Sequence, residues 1–431
     1  MRGKVLCSIL VLLLAASFAM ATGQTEEAAG KVKLIHINFS QPPYDDLWMR
    51  YVDEFQSANP NVEVEFQMYS GGEYTTKIRT AVMSGEGIDT FNIHSTLAFW
   101  YIMNDLVVEV DPAALGHGST AELVDGWYPG AFTVAGSEMN GKIFGLPHEN
   151  AGWVGWMNKV HMREAGLDPE KGIPATWDEY TDLCLKLAKK ESGVFTRNGH
   201  AFNYSRSDYV ARYIMVMMQQ KGHDWVTQQG VIDSLDTEDA KEVFTLFTDW
   251  AKEGSGRQIW DIGLVKDARQ GFATGMTSTM LNGGSWYWGV IDQFNMPREN
   301  ALPFAYPRFK DAKNDVGAIA YGSTLMVAKS SKHQTPAWQF LNYLVHQPDD
   351  YIQTGWYVPS KRGNPELPKE LVPNWELFRV EIEKGSITLP TEHLQEFRDL
   401  VQAAASRVIF EDQSVDDSLS KLKADCIALF K

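Results

Sequence analysis

The amino-acid sequence predicts an α/β fold from three observations: buried strands, amphipathic helices, and the regular alternation of the two. Residues 32–39 form an almost continuous apolar run, as expected for a strand covered on both faces. A helical pattern follows over 45–57, and residues 62–66 then alternate as a second strand. A helix over 74–83 and a short strand over 90–93 repeat this order. Such spacing is typical of parallel β-α-β units.

The clearest helix start lies at Thr176, where Thr176-x-x-Glu179 fits a capping box. Apolar residues then recur on one helical face, which predicts a helix that continues toward Gly193; they are Tyr180, Leu183, Cys184, Leu187 and Ala188. Further helices are predicted after Thr237, after a cap at Thr335-Pro336, over 392–409 and over 415–429.

The first residues predict export. Arg2 and Lys4 precede a short apolar core over 8–18, and Ala19-Met20-Ala21 fits a cleavage site, so the signal peptide spans residues 1–21 and the mature protein is expected in the periplasm. The chain has 431 residues, which favours two or more domains. Its formal net charge of −16 disfavours nucleic acid and anionic lipid as partners.

Neither cysteine spacing nor known motifs indicate catalysis. The mature chain keeps Cys184 and Cys426, each on the apolar face of a predicted helix; two buried thiols are favoured, and a single bridge stays open. Nucleophile-elbow, zinc-protease, P-loop and dinucleotide-binding motifs are absent from the sequence. We therefore expect no enzyme, no catalytic residue, no metal and no cofactor.

Several short motifs follow one another in a distinctive order: Gly141-Lys142-x-x-Gly145-Leu146-Pro147, Thr176-Trp177-Asp178-Glu179, Gly271-Phe272-Ala273-Thr274-Gly275, Asn282-Gly283-Gly284-Ser285-Trp286 and Trp338-x-Phe340-Leu341. In this order they resemble bacterial extracellular solute-binding proteins of ABC importers, in particular the carbohydrate-binding group that includes maltose-binding protein. One departure is Gly87-Ile88-Asp89, where the family commonly has proline in the middle position.

The resemblance implies two lobes, each an open and mainly parallel sheet flanked by helices, joined by several hinge crossings. The N-terminal lobe would comprise 31–147 with 321–364, and the C-terminal lobe 148–320 with 365–431. The crossings would lie near 146–150, 318–323 and 361–371.

A sugar offers C–H faces and hydroxyl rims, so its site needs aromatic rings together with a few polar groups. We expect the rings and their loops at the interlobe edges, namely Trp153, Trp156, Gly284, Trp286, Trp288, Tyr321 and Trp356. Polar candidates lie in loops after predicted strands, where open α/β sheets bind ligands, namely Gln41, Tyr44, His94, Ser95 and Glu149. Three alternatives stay open: core packing for the rings, a hydrogen bond to a neighbouring loop for His94, and a solvated or hinge-pairing role for Glu149.

The function implied is that of a monomeric receptor that captures a sugar or oligosaccharide and delivers it to an integral-membrane ABC permease. One alternative keeps the fold with a polyamine, a metal chelate or a phosphorylated ligand. An anionic ligand would need arginine and lysine clusters, and none lies beside the aromatic loops in sequence, so a neutral sugar is favoured. A second alternative is a secreted polysaccharide-degrading enzyme, which needs two facing carboxylates.

Overall fold

Two β-sheets, of six and five strands, divide the described part of the chain into two lobes, and a two-stranded sheet lies apart from them. The computed structural model describes residues 31–40, 44–317, 320–347, 358–359, 370 and 372–431. The strands are β1 Val32–Phe39, β2 Val62–Tyr69, β3 Thr90–His94, β4 Glu138–Met139, β5 Lys142–Ile143, β6 Leu146–Gly152, β7 Val154–Asn158, β8 Lys189–Glu191, β9 Val194–His200, β10 Thr277–Gly283, β11 Ala301–Phe304, β12 Ala320–Val327 and β13 Val358–Pro359.

Helices cover the faces of both sheets. They are α1 Tyr44–Ala58, α2 Gly71–Ser84, α3 Ser95–Met103, α4 Thr120–Asp125, α5 Ala131–Val134, α6 Lys159–Glu164, α7 Trp177–Leu187, α8 Ser207–Gln220, α9 Gln228–Ser234, α10 Glu238–Asp249, α11 Ala268–Ala273, α12 Tyr287–Gln293, α13 Gln334–Val345, α14 Trp375–Glu383, α15 Leu394–Phe410 and α16 Val415–Leu429.

The N-terminal sheet has the strand order β13-β6-β12-β3-β1-β2. Strand β1 lies parallel to β2 and β3, whereas β12, β6 and β13 join antiparallel. One face of this sheet packs on α1 and α13 through Trp48, Phe55 and Phe340. The other face packs on α2 and α3 through Ile78 and Tyr101.

The C-terminal sheet has the order β11-β7-β10-β9-β8. Strands β9 and β10 are parallel and the other pairs are antiparallel. The larger core of the molecule lies here, where α7, α8, α10 and α15 cover one face of the sheet. The fold class is therefore confirmed, but both sheets are more mixed than the mainly parallel prediction, because the strands next to the crossings arrive without a helical crossover.

The chain first passes between the sheets at Trp153, which separates β6 of one sheet from β7 of the other. Residues 146–150, predicted as the crossing, lie on β6. Strand β12 then returns the chain to the N-terminal sheet, with Tyr321 opposite Ala151. The third predicted crossing, near 361–371, falls almost entirely outside the described residues, and the lobe limits stay predictions.

Local sequence signals were partly confirmed. The capping box of Thr176 and Glu179 is present with both of its hydrogen bonds. The helix ends at Leu187 instead of continuing toward Gly193, because Lys189–Glu191 pairs with β9 and Ser192 and Gly193 turn the chain with positive φ. Helix α13 likewise begins before Thr335, so that residue is not its cap.

Cys184 and Cys426, the cysteines among the described residues, are free thiols, and both are fully buried. Cys184 lies on α7 beside Thr279, at 3.2 Å between Sγ and Oγ1, while Cys426 lies on α16. Burial raises the pKa of each thiol to about 12. In the described ranges, no helix combines the length and apolar character that a membrane span requires.

Candidate functional site

A cleft of about 720 Å³ lies between the two sheets, beside the Trp153 crossing. Its N-terminal wall consists of the ends of β1 and β3 and the first turn of α3, with side chains Phe39, Ser40, His94, Thr96 and Leu97. Its C-terminal wall consists of residues from α8, α11, α15 and the β10–α12 junction, and Tyr321 of β12 lies between the walls. This volume falls within the roughly 300–1,000 Å³ common for small-molecule pockets.

Trp153 and Tyr209 form the aromatic base of the C-terminal wall. Their ring centroids are 4.5 Å apart in an edge-to-face arrangement, and both rings belong to the large core of that lobe. Trp153 is 2% exposed, so its position is fixed by packing on one side while its edge reaches the cleft. These rings are therefore held rigidly before any ligand arrives.

Trp286 and Tyr321 connect the two walls. The indole Nε1–H of Trp286 donates to the phenol oxygen of Tyr321 at 2.6 Å, and His94 stacks on the other side of Tyr321 at 5.4 Å between centroids. Gly284 allows this arrangement, because a Cβ there would lie 2.6 Å from Nε1 of Trp286 and 2.9 Å from the carbonyl oxygen of Gly152.

Four arginines line the C-terminal wall: Arg206, Arg212, Arg269 and Arg398. This finding corrects the expectation that no cationic cluster accompanies the aromatic loops. The four come from three different helical regions, so their proximity is a product of the fold and not of local sequence. Arg212 lies 5.2 Å from the ring centroid of Trp153, and Arg269 lies 5.5 Å from that of Trp286.

Asp208 partly balances these charges. Its carboxylate accepts two hydrogen bonds from Arg206 at 3.0 Å and lies 3.9 Å from Arg212. Burial acts to raise the pKa of Asp208, but the neighbouring guanidinium groups outweigh it and hold the pKa below its usual range. Asp208 is therefore ionised at neutral pH.

His94 contributes an uncharged polar group to the opposite wall. Burial, reinforced by Arg212 and Arg398, lowers its pKa to about 3, so the ring is neutral at physiological pH. Its Nδ1 accepts from the backbone N–H of Thr96 at 3.3 Å, which leaves the proton on Nε2. The histidine thus caps α3, the helix that follows it, and also lines the cleft.

A second cavity of about 410 Å³ adjoins the cleft and shares with it Thr96, Leu97, Gln395 and Arg398. It extends between α2 and α15, with Arg79 above the ring of Trp100 at 4.4 Å. The two cavities together form one groove, longer than the main cleft alone.

The predicted site residues divide into three groups. The structure brings His94, Trp153, Trp286 and Tyr321 together in the cleft, with Gly284 directly behind Trp286. It does not place Trp156, Trp288, Ser95 or Glu149 among the residues that line the cleft. Gln41, Trp356 and the side chain of Tyr44 lie outside the described residues.

Trp156 and Trp288 are corrected from candidate ligand contacts to core residues. They are 0% and 2% exposed and pack edge-to-face on one another, at 4.9 Å between centroids. Indole N–H groups that are buried need partners, and that of Trp156 donates to the carbonyl oxygen of Gly283. The glycine-rich segment was predicted as a loop, but Tyr287 and Trp288 begin α12 and turn inward.

Ser95 and Glu149 have contacts within and beside the N-terminal sheet. The hydroxyl of Ser95 accepts from the backbone N–H of Gly322 at 3.2 Å, and so joins α3 to β12. Glu149 lies on β6, with its carboxylate 3.9 Å from Nδ1 of His148. His148 precedes Glu149 on the same strand, so a hinge-pairing role for Glu149 stays a prediction.

Sequence reasoning missed the arginines and Tyr209. One signal was available: Arg212 interrupts the otherwise apolar helical segment 209–218, and a charge inside a buried helix usually has a function. The remaining arginines lie in polar surroundings in sequence, where a charged residue carries no such signal.

One acidic cluster lies outside the cleft. Asp239, Glu242 and Asp311 bring their carboxylates within 4.8 Å of one another. The ammonium group of Lys221 lies among them, 2.6 Å from Glu242 and 2.7 Å from Asp311. The cluster is therefore balanced by a protein cation.

Comparison with known proteins gives a family match and a shared fold. A family model described as bacterial extracellular solute-binding protein matches residues 40–346. No curated protein sequence is significantly similar to the chain.

Solved structures share the fold at low identity. The cyclic α-maltosyl-1,6-maltose binding protein of Arthrobacter globiformis has a TM-score of 0.76 and 18% identity, over 93% of this chain and 99% of that one. The sugar-binding protein MalE of Xanthomonas citri has a TM-score of 0.75 and 17% identity, over 92% and 97%. An ABC substrate-binding protein of Listeria monocytogenes, solved with cycloalternan, has a TM-score of 0.72 and 15% identity, over 93% and 99%.

Proposed function

The chain belongs to the family of bacterial extracellular solute-binding proteins, and from this premise we propose that it captures a saccharide between its lobes and delivers it to an ABC permease. The observation that supports this proposal most is the cleft itself. Aromatic rings of Trp153, Trp286 and Tyr321 line it, together with polar side chains that can pair with hydroxyl groups. Aromatic faces and fixed polar groups are what a sugar requires of a site.

The names of the similar structures point in the same direction. Two are named as binding proteins for a sugar and for cyclic α-maltosyl-1,6-maltose, and the third was solved with cycloalternan. A saccharide ligand for this chain is a proposal that these likenesses support.

Capture requires that the ligand favour a closed arrangement of the lobes. Phe39 and Leu97 of the N-terminal wall are 37% and 39% exposed, so a ligand that covers them gains contacts when the walls approach. A ligand shifts the equilibrium between open and closed forms only by the difference in its affinity for the two. We propose that the permease recognises the closed form.

Two of the alternatives, a polyamine ligand and a glycosidase, fit the cleft less well. A polyamine would enter a wall lined by four guanidinium groups and be repelled. A glycosidase needs two carboxylates on opposite sides of the scissile bond. In the main cleft, the carboxylate of Asp208 is already held by Arg206 and Arg212. We therefore propose binding without hydrolysis, which a reducing-end assay on incubated glycans tests.

The family is extracellular, and we propose that residues 1–21 are a cleavable signal peptide that leads to the periplasm. These residues lie outside the described part of the chain. We further propose a monomer whose acidic surface has no affinity for nucleic acid, since its formal net charge is −16. Amino-terminal sequencing and light scattering of the exported protein test both statements.

The decisive experiment combines binding with a change of shape. We expect at least one member of a saccharide panel to raise the melting temperature and to reduce the radius of gyration in X-ray scattering. Trp286→Ala should weaken binding of that saccharide and leave the fold intact. Phe410→Ala is the control, because it removes a 61% exposed ring of the same lobe. Unchanged scattering with every saccharide, or full affinity in Trp286→Ala, would contradict the proposal.

A further inference from the structure

The charge of the cleft is opposite to that of the chain. The formal net charge is −16, yet four arginines and one aspartate line the main cleft. The first turns of α3, α8 and α15 also contribute lining residues, and the start of a helix carries a partial positive charge. The main cleft is thus a local site of positive potential on an acidic protein.

The two innermost arginines are buried without full pairing. Arg212 and Arg398 are 6% and 7% exposed. Nε of Arg212 and Nη2 of Arg398 are buried and have no hydrogen-bond partner among the described residues. Burial together with the charge of Arg212 lowers the pKa of Arg398 to about 9. An unpaired buried charge is costly and is normally compensated by a partner.

The guanidinium groups are oriented by the aromatic rings. Arg212 lies over both Trp153 and Tyr321, with its Cζ 5.2 Å and 5.7 Å from their centroids. Arg269 lies over Trp286 at 5.5 Å. A guanidinium that rests on a ring directs its N–H groups sideways, where they can form two parallel hydrogen bonds to a planar carboxylate.

From these observations, and resting on the proposed function, we propose that the saccharide is acidic: a uronic-acid oligosaccharide whose carboxylate pairs with Arg212 and Arg398 while a sugar ring stacks on the partly exposed Trp286. The carboxylate supplies the partner that the buried guanidinium groups lack. Stacking on the Trp286 ring distinguishes this ligand from a small free carboxylic acid. Planar carboxylates also fit the guanidinium fork in two-point contact.

The groove has room for more than one sugar ring. The adjoining cavity of about 410 Å³ continues from the main cleft past Arg398 and Gln395. Its lining includes two guanidinium groups, Arg79 and Arg398, beside the carboxylates of Glu392 and Glu396. We therefore place the acidic ring in the main cleft and a following ring toward the adjoining cavity.

The test compares the affinity of the mature full-length protein for each acidic saccharide with its affinity for the uncharged methyl ester of the same saccharide. The probes are di- and trisaccharides of galacturonic, glucuronic and mannuronic acid and the methyl ester of each, measured by isothermal titration calorimetry. We expect at least one acid to bind roughly 100-fold more tightly than its ester, since a desolvated charge pair is lost in the ester. Its affinity should fall as NaCl rises from about 20 to about 300 mM.

Arginine-to-glutamine variants test which side chains bind the carboxylate. Arg212→Gln should weaken binding of that acid by roughly 30-fold or more, with little change for the ester. Arg269→Gln should also weaken binding of that acid. The Arg269 side chain is 27% exposed, so this variant keeps the test valid if Arg212→Gln fails to fold. Arg163→Gln, an exposed arginine of α6 in the same lobe, is the matched control and should bind like the parent.

Each other outcome overturns the proposal in a recognisable way. Equal binding of acid and ester, or failure of all acids with binding of neutral sugars, removes the acidic ligand and leaves saccharide capture standing. Tighter binding of glucose 6-phosphate than of any uronate assigns the arginines to a phosphate group. Binding of citrate with no binding of any saccharide overturns both this proposal and the proposed function.

Discussion

The two walls of the cleft differ in rigidity and in charge. The C-terminal wall carries Trp153 and Tyr209, which are 2% and 6% exposed members of the large core, and it carries all four arginines. The N-terminal wall presents Phe39 and Leu97, which are exposed, and the neutral His94. Under the proposed function, recognition would depend on the core of one lobe, whereas the other lobe offers apolar surface that a ligand would cover. The division suggests that specificity and closure can be changed separately.

The largest expected difference between the walls is in stability. Trp153→Ala should lower the free energy of unfolding by about 3–5 kcal/mol, because it leaves a cavity beneath Tyr209 and Tyr213. Leu97→Ala on the opposite wall should cost less than about 1 kcal/mol, since its side chain is already 39% exposed. Urea unfolding of both variants checks this, and equal losses would contradict the difference in rigidity.

The second-largest effect is expected at Arg398 in the C-terminal wall, where one substitution should change binding and stability in opposite directions. Arg398→Met should weaken binding of the acidic ligand by roughly 100-fold, since it removes a buried partner of the carboxylate. The same change should stabilise the free protein by about 1 kcal/mol, because a buried and incompletely paired charge is replaced by an apolar side chain. Calorimetric titration and thermal melting measure the two quantities. A variant that loses stability and binding together would show that Arg398 has a structural role.

A smaller effect is expected at the contact between the walls. Tyr321→Phe removes the hydroxyl that accepts from the indole of Trp286 and keeps the stacked ring. The lost hydrogen bond should cost about 1 kcal/mol, or roughly fivefold in affinity. Stopped-flow tryptophan fluorescence should assign most of this change to faster ligand release. An unchanged release rate would indicate that the bond does not hold the closed form.

The smallest expected effect is the response of binding to pH. His94 faces Arg206, Arg212, Arg398 and Asp208, and its pKa is lowered to about 3. It therefore stays neutral between pH 5 and pH 8, and affinity per folded molecule should be constant over this interval. A change in affinity with a midpoint near pH 6 would contradict a His94 ring that stays neutral over this interval.

Stability behaves differently from affinity on acidification. The folded pKa of His94 lies below the unfolded value of about 6.5, so its contribution to stability is present above pH 6.5 and declines as the pH falls toward 3. His36 and His148 of the same lobe have pKa values lowered to about 3 by burial and add to this decline. Melting curves from pH 7 to pH 4 should show decreasing melting temperatures.

Much of the fold could be predicted from the sequence because its signals are local. Strand β1 covers 32–39 as its apolar run predicted, and the capping box at Thr176 fixed a helix start. The end of α7 could not be predicted from helical periodicity, because Ala188 fits the apolar face although the chain is already extended there. Pairing of Lys189–Glu191 with β9 decides that boundary, and this pairing is a tertiary contact.

The candidate site was harder to predict because exposure is a property of the fold. Trp286 and Trp288 are two residues apart in a glycine-rich segment, yet one ring lines the cleft and the other is buried. The start of α12 at Tyr287 turns Trp288 inward, and no residue type in the segment reveals that turn. The arginines were missed for the same reason, since Arg269 and Arg398 lie 129 positions apart and line one cleft only in the folded chain.

The two buried thiols have a practical consequence. Both Cys184 and Cys426 are fully buried, and burial raises the pKa of each to about 12, so maleimide reagents should leave them unmodified in the native state. A cysteine introduced at Leu97 would then be the preferred attachment point for an environment-sensitive dye. The dye would lie at the edge of the cleft, and its emission would change when a ligand binds. The protein could then serve as an optical sensor without prior replacement of Cys184 and Cys426.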